Sequence, residues 1–251
     1  MKIKLLILSI VVCGISGVAV ADPYYINYIG QDGGAAGLGA NTLISPYALA
    51  PGSLIETFNS VTPLPSTPIS AASVLDQAGW WTWGNGAVGS ENGRVVQGSV
   101  SGAYAAPYSP ITGIQDSTPY AAIPENKNDN PPRQVGVDFG ADYRYLGLHW
   151  GSMDAFDGKW AQKIELYNDG GLVATIVSPN PGDGSWTNAE TNRYVNIFLT
   201  GDLVFDRAVF QSNEYAFEFD NLAVGTVPVP GAVLLGILGL GFAGLKLRKF
   251  A

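Results

Sequence analysis

Hydrophobic residues recur at every second position through the C-terminal half of the chain. Val135, Val137 and Phe139 alternate with Gln134, Gly136 and Asp138, and Leu146, Leu148 and Trp150 alternate with Tyr145, Gly147 and His149. Val195, Ile197 and Leu199 repeat the pattern, as do Phe217 and Phe219 against Glu218 and Asp220. A period of two belongs to strands with one face in a core, because successive side chains point to opposite sides of a sheet. Residues 164–167 and 172–177 flank Asn168-Asp169-Gly170-Gly171, which predicts a hairpin with turn-forming residues at its tip. No helical stripe of useful length lies between Asp22 and Thr226. The pattern is looser upstream. Segments 54–58, 79–83, 94–96 and 99–104 read as strands between Gly- and Pro-rich loops such as 62–68. These elements predict an all-β fold, an antiparallel β-sandwich of jelly-roll-like form. Residues 126–132 make the clearest surface loop, but neither side of it holds enough long strands to stand alone. One exported domain, residues 22–226, is therefore expected.

The two ends of the chain follow other rules. Lys2 and Lys4 precede an apolar run over residues 5–12, and Ala19-Val20-Ala21 fits the small-residue rule for cleavage, so residues 1–21 read as a secretory signal peptide. The only cysteine, Cys13, falls inside it, so the mature chain is expected to carry no thiol and no disulfide. At the other end, residues 231–245 form an uncharged run of 15 residues. As a helix it would span roughly 22 Å, short of a hydrocarbon core of about 30 Å unless basic side chains snorkel. Lys246, Arg248 and Lys249 follow, a charge cluster that would hold the C-terminus in the cytoplasm and leave the domain outside.

Pro228, Val229, Pro230 and Gly231, then the Leu/Gly-rich span, then Lys246, Arg248 and Lys249, resemble the PEP-CTERM sorting tail of Gram-negative bacterial surface proteins. Val229 stands where the family has Glu. The resemblance covers residues 227–251 and implies a transient inner-membrane helix, cut by an exosortase after signal peptidase has acted at the other end. The exported part also looks like a recurring class of these surface proteins, through residues 98–107, Trp150-Gly151-Ser152-Met153-Asp154 and Ala216-Phe217-Glu218-Phe219-Asp220-Asn221. That likeness implies a secreted sandwich associated with the outer surface, extracellular matrix or exopolysaccharide, and implies no activity.

Charge narrows the partners. All 21 acidic residues but only 8 of the 13 basic ones lie between Asp22 and Thr226, a formal charge of −13 for the exported part. Nucleic acid is excluded as a partner, since phosphate neutralisation needs clustered Lys and Arg. A single histidine and a single cysteine leave little room for a His/Cys metal site.

Four constellations remain. Serine hydrolysis would need His149, yet no nucleophile elbow accompanies it, and its position opposite Leu146 and Leu148 predicts an exposed or boundary strand residue. Glu218 and Asp220 share a strand face at about 6.5–7 Å between Cα atoms, a separation glycosidases use, although acids on a polar strand face are ordinary in an acidic protein. Calcium fits the ligand types better, with Asp154, Asp157, Asp220 and Asn221 as candidates beside Asp129 and Asn130; no EF-hand loop is present, and such residues also make turns. Trp81 and Trp83, sharing one side of an extended run near Trp80, are candidate stacking platforms for sugars, with Trp150, Trp160 and Trp186 as further rings; burial in the core is the favoured alternative for tryptophan. The sequence thus predicts a non-catalytic envelope or matrix protein with exopolysaccharide as candidate ligand, its rival being a secreted glycan hydrolase using Glu218 and Asp220.

Overall fold

The period-two segments become strands, and two antiparallel sheets bury their apolar sides against each other. The computed structural model describes residues 22–39, 41–60, 81–82, 93–123, 133–154, 162–178, 189–212 and 216–226. Residues 1–21 and 227–251, and with them the whole sorting motif, lie outside the described residues, as do Asp129, Asn130, Asp157, Trp80, Trp83, Trp160 and Trp186. Among the described residues no helix is long and apolar enough to cross a membrane.

The strands, in chain order, are β1 (Tyr24–Asn27), β2 (Gln31–Asp32), β3 (Leu43–Ile44), β4 (Leu54–Glu56), β5 (Trp81–Thr82), β6 (Arg94–Val96), β7 (Tyr108–Ser109) and β8 (Ile114–Gln115). They continue with β9 (Tyr120–Ile123), β10 (Arg133–Tyr143), β11 (Tyr145–Gly151), β12 (Gln162–Asn168), β13 (Gly171–Val177), β14 (Arg193–Leu199), β15 (Phe205–Ser212) and β16 (Phe217–Gly225). One sheet runs β1-β14-β11-β16-β9-β6, with β4 also pairing β16, and the other runs β13-β12-β15-β10-β5. All their pairings are antiparallel. From β10 onward the chain passes back and forth between the sheets, so neighbours in sequence often face each other across the core rather than along a ladder.

Val135, Val137, Ile164, Leu166 and Phe210 of the smaller sheet meet Leu146, Leu148, Trp150, Phe217 and Phe219 of the larger one in a single core. Trp150 is fully buried there, its ring stacked on Phe217 at 4.6 Å and its Nε1–H donated to Gln162 Oε1 at 2.7 Å. An indole in a core needs such an acceptor, and Gln162 supplies it. The hairpin forms as expected: β12 and β13 join through Asp169 (φ 48°) and Gly170 (φ 78°), the two left-handed positions of the turn that suits the twist of a two-residue hairpin.

The larger sheet departs from the expected one-sided pattern. Its outer face carries Tyr145, Tyr194, Phe198 and Ala223, and these pack against Leu43, Ile44 and Ala48 from the segment after β2. A second covering segment brings Ala106 against Val96, Tyr120 and Ala122. Every residue of β11 and β16 is consequently buried. Among the described residues no comparable apolar segment packs over the outer face of the smaller sheet, where Val209 and Gln211 are nonetheless only 7% and 6% exposed. Residues 99–104, expected as a strand, instead make a tight turn closed by one bridge from Val100 to Tyr104, with Gly102 at φ 74°.

Candidate functional site

The open face of the smaller sheet is built by register. Gln211 pairs with Lys163 and Gln134, Val209 with Glu165 and Gly136, and Arg207 with Tyr167 and Asp138. These rows point away from the core because Ala208 and Phe210, between them on β15, point into it. Gly136 adds no side chain beside Val209, so the face is depressed at its centre. A cleft of about 260 Å³ opens there, lined by Gln134, Glu165, Tyr167, Gly170, Arg207 and Val209.

Its polar groups are held in place. Glu165 accepts hydrogen bonds from Lys163 Nζ (2.8 Å), Tyr167 Oη (2.7 Å) and Gln211 Nε2 (2.8 Å). Burial alone would raise the Glu165 carboxyl, but the bonds from Lys163, Tyr167 and Gln211 outweigh it and hold the group below its ordinary range. Tyr167 is raised, first by its bond to Glu165 and then by burial. Arg207 lies 3.9 Å from Asp138, and its Nε has no hydrogen-bond partner among the described residues. The cleft therefore offers an ionised acceptor in Glu165, a guanidinium donor in Arg207, the Gln134 amide and one aromatic ring, with charges that cancel. Such a surface suits a neutral polyhydroxylated ligand, whose hydroxyls need donors and acceptors and whose ring carbons need an apolar plane.

The acids expected on a polar strand face lie elsewhere, beneath the cover of the larger sheet. Glu218 is 1% exposed and Asp220 0%. Glu218 accepts from Ala105 N–H at 2.8 Å and from the Ser152 hydroxyl. Asp220 Oδ2 accepts from Thr42 Oγ1 at 2.8 Å. Both groups are held under the covering segments, out of reach of a polymer in solvent. The reason is the second apolar layer, which turns the polar side of β16 into an interior.

His149 is corrected in the same way: it is 0% exposed rather than a boundary residue. Leu43 N–H donates to its Nδ1 at 3.2 Å, which leaves the proton on Nε2, donated to Tyr108 O at 3.3 Å. Burial pushes the imidazole down to about 4, with the bond to Tyr108 opposing. A neutral imidazole thus staples both covering segments to β11.

Of the calcium candidates, the fold keeps Asp220 and Asn221 together and separates Asp154, which accepts from Gln162 Nε2 at 3.0 Å. It adds Asp116, which the sequence did not single out. Burial is the main cause raising both Asp116 and Asp220, and each carboxyl is a hydrogen-bond neighbour of the other. Of the stacking candidates, Trp81 is described through its backbone, which pairs in register with the core residue Val137. Arg207 and Gln211 were missed because β15 hides its alternation: Ala208 is its small inward residue and Val209 its apolar outward one. The signal that was available is the Glu165-x-Tyr167 spacing on a predicted strand, which places an acid and a ring on one face.

No protein-family model matches the chain, and no curated protein does.

Proposed function

We propose that the chain is an exported, surface-sorted and non-catalytic component of a Gram-negative envelope or extracellular matrix, a jelly-roll-like β-sandwich that binds neutral exopolysaccharide in the cleft of its smaller sheet. The observation that carries the binding role is the open face itself, where Glu165, Tyr167 and Arg207 line a depression while the larger sheet is covered. The passage of successive strands between two sheets supports the jelly-roll-like reading. The address rests on the ends: a signal peptide over residues 1–21 for signal peptidase, and the Pro228-Val229-Pro230-Gly231 motif with its apolar span and basic end for an exosortase, the C-terminal helix anchoring the protein in the inner membrane until it is cut. The burial of Glu218 and Asp220 weighs against the hydrolase built on that pair.

A glycan array with the protein exported by its own host tests binding. One or more neutral polysaccharides should be retained, and Tyr167→Ala and Arg207→Ala should each weaken retention at least about tenfold, the loss of roughly 1.4 kcal/mol, with unchanged circular dichroism. Retention untouched by both substitutions would remove the cleft from the reading, and hydrolysis of an arrayed sugar that disappears in Glu218→Gln would favour the enzyme. Intact mass of the same preparation reads both processing sites, and a product starting at Met1 and ending at Ala251 would refute the sorting assignment.

A further inference from the structure

Beneath the cover of the larger sheet, three oxygens meet no hydrogen-bond donor. Asp220 and Asn221 straddle an irregularity in the β11–β16 ladder, where Gly147 pairs with Ala223 but His149 pairs with Asp220. The extra residue on β16 is accommodated by Asn221 at φ 48°. Both side chains therefore reach the covered face, and both meet Thr42 from the segment above. Thr42 Oγ1 donates to Asp220 Oδ2 at 2.8 Å, and Asn221 Nδ2 donates to Thr42 Oγ1 at 2.8 Å and to Leu43 O at 2.9 Å. Asp116 arrives from the second covering segment, its Oδ1 accepting from Thr118 N–H at 2.8 Å and from the Thr118 hydroxyl. The Asp116 and Asp220 carboxyl groups adjoin.

The Thr42 hydroxyl and the Asn221 amide are spent on this scaffold. Asp116 Oδ2, Asp220 Oδ1 and Asn221 Oδ1 remain without a partner, on residues 3%, 0% and 0% exposed. None of the ion pairs among the described residues reaches Asp116 or Asp220. Burying carboxylates without a counter-charge costs several kcal/mol. A proton shared between the two aspartates would satisfy them and leave Asn221 Oδ1 facing nothing; a cation would give all three a partner. His149 cannot join, since both ring nitrogens are engaged by Leu43 and Tyr108. The donor set is thus oxygen alone, the set of a hard ion, and an interior closed to solvent favours one that sheds its water readily.

We propose that Asp116, Asp220 and Asn221 bind one calcium ion, which fastens the covering segment that carries Asp116 to β16, beside the Thr42 segment already hydrogen-bonded to Asp220 and Asn221. The three residues sit on two separated stretches of chain, 116 and 220–221, so the ion acts as a cross-link in the folded state.

The full chain, or its processed form from the host, is stripped with EDTA, dialysed, and titrated with calcium chloride, magnesium chloride and terbium chloride. Calcium should raise Tm by roughly 5–10 °C when in about hundredfold excess over its Kd. Terbium should luminesce on tyrosine excitation, since the Tyr194 hydroxyl donates to Asn221 O at 3.0 Å, and calcium should quench the signal by competition. Asp116→Asn and Asp220→Asn should abolish both responses; if Asp220→Asn does not fold, Asp116→Asn and the wild-type titration decide. A Tm indifferent to calcium and EDTA, or calcium binding that survives both substitutions, overturns the proposal, and an equal response to magnesium overturns the choice of ion. Substitutions that raise Tm in EDTA while wild type binds no terbium assign the pair a shared proton instead.

Discussion

His149 provides the sharpest test of how the cover is held, because the chain contains one histidine and its imidazole signals need no assignment. The ring is 0% exposed, with Nδ1 accepting from Leu43 and Nε2–H donating to Tyr108. Protonation would put a second N–H against the Leu43 N–H and a charge where water cannot follow. The folded imidazole is accordingly held down to about 4, against 6.5 in an unfolded chain. A base whose pKa is depressed on folding contributes stability that is complete above pH 6.5 and is lost as pH falls through about 4, since the unfolded chain binds the extra proton first. At about 1.4 kcal/mol per unit, the loss across that window is on the order of 3 kcal/mol. Two-dimensional NMR of the imidazole nitrogens should show the Nε2–H tautomer from pH 8 down to the acid unfolding transition, with no titration near 6.5. Denaturant melts over the same range should lose about 3 kcal/mol more in wild type than in His149→Gln. Asp220, in register across the ladder, and Asp116 are present in both proteins, so their opposing contribution cancels to first order. A midpoint near 6.5, or a proton on Nδ1, would refute the staple.

Other predictions rest on packing and on the carboxyl pair. A Cβ on Gly147 would lie 2.7 Å from Tyr145 Cζ and 2.8 Å from Tyr194 Cε1, so Gly147→Ala should cost about 2–3 kcal/mol and lower Tm by roughly 4–12 °C in calorimetry. Trp150→Ala removes the largest side chain of the core and should cost about 3–5 kcal/mol, whereas Gln162→Ala, which strands the Trp150 Nε1–H and Ala216 O, should cost about 1–3 kcal/mol in urea melts. In EDTA the raised Asp116 and Asp220 give the opposite pH response to His149, with stability present in the acid range and lost as pH climbs above the ordinary carboxylate range; calcium should flatten that decline, as read by Tm at fixed steps of pH.

The long strands were legible because their inward side chains are large and alternate: Val135-x-Val137-x-Phe139 is β10, and Ile164 to Val177 is a hairpin whose turn residues announced themselves. Two kinds of strand escaped. In β15 the inward Ala208 is small and the outward Val209 apolar, so contrast between faces is weak; in β9, Tyr-Ala-Ala-Ile is buried throughout and carries no period. The larger error was to assume solvent on one side of every strand, which misplaced His149, Glu218 and Asp220. The corrective signal was present in Tyr194 and Phe198, aromatics on the side opposite Val195, Ile197 and Leu199. An outer face with that much apolar surface has to be covered. What no pattern revealed was the identity of the cover: that Thr42 and Asp116, in loops far from β16 in sequence, would land on Asp220 follows from tertiary packing alone.

On the proposed function, this asymmetry separates stability from recognition. Among the described residues the larger sheet is sealed on both faces, and its polar residues bond to covering segments; the smaller sheet is sealed on one face, and its polar residues bond along the strand and to one another. Thr42 and Asn221, which hold a loop down, have their donors consumed, whereas Arg207 keeps an N–H without a hydrogen-bond partner among the described residues. Changes at Tyr167 or Arg207 should therefore move ligand affinity and leave the unfolding free energy within about 0.5 kcal/mol of wild type, as is usual for surface positions. Changes at Asp220 or His149 should do the reverse, because β16 and β11 reach the cleft only through the intervening core. If Asp220→Asn lowered glycan affinity at a temperature well below its own melting transition, the two sheets would be coupled through that core, and recognition could not be assigned to the smaller sheet alone.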